Sequence, residues 1–146
     1  MDFLNKKEKI KLEMLMPLIK ERLALGETVK LSPNGTSMLP MLRQGKDSVV
    51  LAPVKGNLKK YDLPLYVRQD GQYVLHRIVK AEKGVYTCIG DNQFALEPGV
   101  KQEDVIAYVS DFYRGDKKYS VKSFVYKMYV CFWHNSRPLR MLWVNA

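Results

Sequence analysis

Three short segments of this sequence carry side chains whose types suit nucleophilic and proton-transfer chemistry. Ser37 lies in Gly35-Thr36-Ser37-Met38-Leu39-Pro40, His76 in Leu75-His76-Arg77-Ile78-Val79, and Asp91 in Gly90-Asp91-Asn92. Each has an ordinary structural role when taken alone. Serines in Gly/Pro turns mostly bond the backbone. A histidine sharing one strand face with Val74 and Ile78 is most often a core residue. An aspartate between Gly and Asn shapes an Asx-turn. Together they can form a nucleophile, a base and an acid. A serine hydroxyl is a poor nucleophile at neutral pH, and a neutral imidazole, with an ordinary pKa near 6.5, is matched to removing its proton. A carboxylate on the other ring nitrogen would fix the tautomer and steady the imidazolium formed during acylation. Such chemistry calls for no metal and no cofactor.

The order of these segments resembles the signal peptidase branch of the serine peptidases that also include the self-cleaving LexA-like repressors. The likeness starts at Gly35 to Pro40, continues through Gly45, Asp47, Val49-Val50 and Tyr61-Asp62, and ends with Leu75 to Val79 and Gly90 to Asn92. It covers residues 28 to 113. Histidine rather than lysine at position 76 is similar to the branch typified by the endoplasmic reticulum signal peptidase. The resemblance implies an endopeptidase that cleaves a precursor protein or peptide through an acyl-enzyme on Ser37, with His76 as general base. It implies a supporting acid at Asp91 or six residues later at Glu97, where the family carries Asp. It also implies an oxyanion site at the backbone N–H of Ser37, with Gly35, Thr36 and Met38 supporting the turn. Many relatives have a serine where this chain has Gly35, so backbone groups or Thr36 must supply the missing donor. A supporting carboxylate would hold the His76 pKa near or above its free value, and changing Asp91 or Glu97 to the amide would lower turnover while leaving the fold intact.

These groups need a scaffold. Leu12, Leu15, Ile19 and Leu23 recur at helical spacing over residues 5 to 25, with Gly26 suited to the C-cap and Pro17 expected to kink or divide the helix. Beyond Gly26 the texture becomes short Val/Leu/Ile/Tyr runs between turn residues. Strands are predicted at 28–31, 48–53, 63–68, 73–80, 85–89 and 105–113, with three neighbours forming a meander. Hairpin turns are predicted at 69–72 and 82–84. Residues 119 to 134 predict an aromatic helix. The expected architecture is mainly β: a signal peptidase/LexA-like domain (28–113) between an N-terminal helical segment (1–27) and a basic aromatic C-terminal segment (114–146).

Charge supports that division. The chain carries 24 basic and 15 acidic residues, a net charge of +9. Residues 31 to 113 hold ten basic and nine acidic side chains, whereas residues 114 to 146 hold seven basic and only Asp116. Lys6, Lys7, Lys9 and Lys11 interrupt the N-terminal apolar residues, which predicts neither a signal peptide nor a membrane span. The expected location is the cytoplasm, either free or held peripherally at a membrane by aromatic and basic side chains between residues 120 and 143. The competing expectation is that those aromatics close over the β domain. Cys88 and Cys131 form no metal-ligand cluster. A repressor-like regulatory or binding module is the alternative to an enzyme, but residues 1 to 27 are short for a helix-turn-helix domain, which argues against nucleic acid as partner.

Overall fold

The computed structural model describes residues 2–145, with side chains described from Leu12 to Val144. The lysines at 6, 7, 9 and 11 lie outside the described side chains. Helix α1 (Asp2–Ala24) is continuous through Pro17 rather than divided there. Its inward residues are Met16, Ile19 and Leu23, with Leu12 packed beside them, whereas Leu15 is 38% exposed. The buried stripe is thus set by Met16, at four- and three-residue steps from Leu12 and Ile19. Gly26, at φ +81°, ends the helix, and the Glu27 N–H reaches back to the Arg22 carbonyl.

Nine strands among the described residues form two antiparallel sheets, making a β-rich body with three helices. The larger sheet contains β1 (Val29–Leu31), β2 (Asp47–Ala52), β3 (Pro64–Val67), β4 (Tyr73–Leu75), β8 (Val105–Arg114) and β9 (Lys117–Ser120). The long β8 organises it: β2 pairs along one edge, while β3 and then β9 share the other. The smaller sheet runs β5 (Arg77–Glu82), β6 (Val85–Ile89), β7 (Glu97–Lys101). Alternation along β2 and β8 puts Val49, Leu51, Ala107, Val109 and Phe112 into a core shared with α1. A second core forms around Tyr66, Val74, Ile78, Tyr86, Cys88 and Val100 where the sheets meet.

The predicted strand over 73–80 is two strands. β4 belongs to the larger sheet and β5 to the smaller, and His76 is the single residue between them. The expected meander is consequently divided into a β3–β4 hairpin and the β5–β6–β7 sheet. The hairpin turns form as predicted: Gly71 N–H bonds the Arg68 carbonyl, and Lys83 and Gly84 both take positive φ. β7 is not among the predicted strands, and it contains Pro98 and Gly99, residues disfavoured within a ladder. It is an edge strand whose register shifts at these residues, where a missing N–H and a positive φ are tolerated.

The C-terminal segment also differs from expectation. Residues 117 to 120 continue the sheet, with Tyr119 stacked on Phe112. Only then does Ser123 cap helix α2 (Phe124–Asn135), followed by α3 (Arg137–Asn145). Tyr126, Val130 and His134 of α2 are buried, and the first two join the main core. Strand β9 and the inner face of α2 are therefore part of the body. Among the described residues no helix is long and apolar enough to cross a membrane.

Candidate active site

The Ser37 segment is a turn between β1 and β2, tied down on several sides. Gly35, at φ +85°, is in the left-handed region that favours glycine, so a serine there would be strained. Met38, Met41 and Leu42 anchor the following turn in the core. Asp47 binds the Arg43 side chain and backbone N–H and receives the Gly115 N–H, contacts that hold its carboxyl at about 2. The Arg114 guanidinium donates to the Pro40 and Met41 carbonyls.

The Gly90-Asp91-Asn92 turn, which follows β6, closes on this segment. Asn92 N–H donates to the Ser37 carbonyl at 2.8 Å, and its side-chain amide donates to the Thr36 carbonyl at 3.1 Å. A Cβ on Gly90 would lie 2.6 Å from the Ser37 carbonyl oxygen, so glycine is required for this approach. The turn and the serine loop, 53 residues apart between Ser37 and Gly90, thus share one backbone junction.

Asp91 is fully buried, and its carboxylate faces four donors. Arg77 Nε and Nη2 donate to Oδ1 and Oδ2 at 2.9 and 3.0 Å, Tyr129 hydroxyl donates to Oδ2 at 3.2 Å, and His134 Nε2 lies 2.9 Å from Oδ1. Burial works to raise the Asp91 pKa, but the Arg77 charge and these hydrogen bonds outweigh it and hold the carboxyl well below its usual range. Arg77 is equally buried and also donates to the Tyr61 carbonyl and the Tyr126 hydroxyl. Tyr61 takes φ +76°, an uncommon conformation for a tyrosine, at the point where its carbonyl meets Arg77.

The tautomer of His134 follows from its neighbours. Arg137 can only donate, so Nδ1 at 2.9 Å accepts from it, and Nε2 carries the proton donated to Asp91. Both ring nitrogens are therefore engaged. His76 differs: it is 6% exposed, and its buried Nδ1 meets no hydrogen-bond partner among the described residues. Burial, reinforced by the nearby Arg68 charge, pushes its pKa down to about 4 despite the opposing fields of Glu97 and Asp91. The expectation of a pKa near or above the free value is not met: burial and Arg68 lower it, and neither carboxylate bonds the ring to offset them.

Glu97, at the start of β7, is held by the Tyr66 hydroxyl at 2.6 Å and by Arg68 Nε at 2.8 Å and Nη2 at 2.5 Å. Burial favours the neutral acid, but the Arg68 and Tyr66 hydrogen bonds keep its pKa below normal. The Tyr66 ring stands edge-on to His76, 6.5 Å between centroids, so Glu97 approaches the histidine through Tyr66. A cleft of about 200 Å³ opens beside Glu97, lined by Tyr66, Arg68, Gln69, Pro98 and Lys101 among others; Ser37 and His76 do not line it.

Of the residues singled out in the sequence, the structure joins the Ser37 and Thr36 carbonyls to the Asp91 turn through the backbone N–H and the side-chain amide of Asn92, and sets His76 within the electrostatic reach of Asp91 and Glu97. Both acids are engaged elsewhere. Arg77 figured in the sequence only as a neighbour of His76, and Tyr126, Tyr129 and Trp133 only as tail aromatics expected to face a membrane or close over the β domain; together with His134 they build the Asp91 environment, and Trp133 Nε1 donates to the Asp91 carbonyl at 2.7 Å. The available signals were Arg77 beside His76 and a second histidine in a tail whose one acid is Asp116. The chain matches no family model, and no curated protein matches it.

Proposed function

We propose that this chain is a serine endopeptidase of signal peptidase type, with Ser37 as nucleophile, His76 as general base, and the two-sheet body as the signal peptidase/LexA-like catalytic fold. The observation that carries the reading is the contrast between the two histidines. His134 has no lone pair left to accept a proton, since Nδ1 takes the Arg137 N–H and Nε2–H is given to Asp91. His76 is held neutral at the junction of the sheets with its Nδ1 unengaged. It is the histidine able to act as a base.

In this reading Arg77 and Asp91 are positioning residues. Their pair rigidifies the turn that grips the Ser37 carbonyl, orienting the serine N–H toward a developing oxyanion. Glu97 and Asp91 contribute field rather than a direct bond to the imidazole. A fluorophosphonate reagent should add one phosphonyl group to the wild-type chain, seen as an intact-mass increase mapped to Ser37. Ser37→Ala should abolish the adduct, and His76→Gln should slow its formation by at least about a hundredfold, the lower range for general-base assistance. An adduct on another residue, or labelling of His76→Gln at the wild-type rate, overturns the assignment.

A further inference from the structure

Helix α3 is amphipathic in the inverted sense. Its arginines turn toward the body: Arg137 bonds His134, and Arg140 lies 3.8 Å over the Trp133 ring and donates to the Trp133 carbonyl at 2.7 Å. Its apolar residues face water instead, with Leu139, Leu142 and Trp143 exposed by 67, 68 and 86%. Helix α2 does the same on the side opposite its buried Tyr126, Val130 and His134, exposing Phe124, Met128 and Phe132 by 76, 57 and 73%. Water solvates such residues poorly, and singly scattered apolar side chains do not account for six that recur along the outer sides of two consecutive helices.

Charge selects what covers it. From Lys117 to the end the sequence has no acid, and while Arg137 and Arg140 turn inward, Lys122 and Lys127 are exposed beside the apolar residues. A second copy laid on this face would bring like charges together. An anionic bilayer surface instead neutralises the cations while its interface accepts the aromatic and aliphatic side chains.

We propose that the outer face of α2 and α3 is a docking surface for anionic lipid, on which the protein lies without crossing the bilayer. The inner face of α2 bonds Asp91 through Tyr129 and Trp133. Docking therefore sets the Asp91 turn one helix diameter, about 10 Å, from the interface. The surface uses neither Ser37 nor His76, so its test is independent of the peptidase reading.

Full-length protein should sediment with vesicles of phosphatidylcholine mixed with phosphatidylglycerol, and only weakly with phosphatidylcholine alone. Added salt should release it. Trp143 emission should shift to the blue on binding. The exposed pair Phe132→Ser with Trp143→Ser should keep the wild-type unfolding midpoint and weaken binding at least tenfold. Lys122→Gln and Lys127→Gln should each weaken it about fivefold. If the Ser pair lowers the midpoint, Leu142→Gln with Trp143→Gln provides the same test on α3 alone. Failure to bind mixed vesicles, or binding unchanged by these apolar variants, overturns the proposal. So does a concentration-dependent dimer that the variants dissolve, which would assign the face to a second copy.

Discussion

Replacing Asp91 by Asn should unfold this protein more readily, and the structure supplies the size of the effect. Every group on the carboxylate is a donor: two from Arg77, one from His134 and one from Tyr129. An amide keeps only one acceptor oxygen, so its NH₂ must face donors that were satisfied before. More costly, the Arg77 guanidinium, with a side chain 0% exposed like that of Asp91, loses its counter-charge without gaining water. Breaking one partner of a buried pair costs about 3–5 kcal/mol, a large share of a domain's total of roughly 5–15 kcal/mol. The expectation that an amide at 91 spares the fold is thus replaced by one of strong destabilisation. Urea unfolding at pH 7, followed by fluorescence, measures it, with Trp133 beside the Asp91 carbonyl as a local reporter. Arg77→Met, also costly alone, should be markedly less than additive with Asp91→Asn because each removes the other's partner. A loss below about 1 kcal/mol for Asp91→Asn, the scale of an exposed ion pair, would refute the argument, as would additivity in the cycle.

His76 makes stability sensitive to acid. Its folded pKa of about 4 is below the unfolded value, so its contribution is complete above about pH 6.5 and declines as pH falls toward 4. Wild type should lose about 2 kcal/mol between pH 7 and 5 that His76→Gln does not, from the same shift, and equal slopes in the two proteins would contradict this. In the proposed enzyme, the acid limb of kcat/KM should likewise be centred nearer pH 4 than 6.5; a transition at or above the free-histidine value would mean that a carboxylate reaches the ring. Gly90→Ala should destabilise by about 1–3 kcal/mol, since its Cβ meets the Ser37 carbonyl at 2.6 Å, and should slow Ser37 labelling; a wild-type melting curve and labelling rate would show the junction to be compliant. A chain ending at Tyr113 should fail to fold, because it lacks Arg114, β9, Tyr126, Val130 and His134. A cooperative melt from that chain would show that the tail is only peripheral.

Local chemistry made much of the scaffold legible. Alternating apolar residues located β2, β6 and β8 to within a residue or two, and Asp70-Gly71 and Lys83-Gly84 marked the β3–β4 and β5–β6 hairpins, because strand faces and positive-φ turns depend on a few adjacent side chains. The helical spacing of α1 was equally visible, although only packing decided between Met16 and Leu15 as its inward residue. Tertiary structure decided that the strand around His76 leaves one sheet for another, since no local signal specifies which edge each half joins. It also admitted Pro98 and Gly99 into β7, where an edge and a register shift relieve them of ladder bonding. The same limit applies to the candidate site. Residue types nominated Ser37, His76 and Asp91, and the family resemblance implied Glu97, but a carboxylate's partner is set by whichever donors the fold buries beside it. Arg77, 14 residues away, and His134, 43 away, captured Asp91, while Arg68 and Tyr66 captured Glu97. In the C-terminal segment the sequence showed aromatics and cations together. Only the helix orientations assigned Tyr126 and Val130 to the core and Phe132 and Trp143 to the surface, because burial depends on what stands opposite each face.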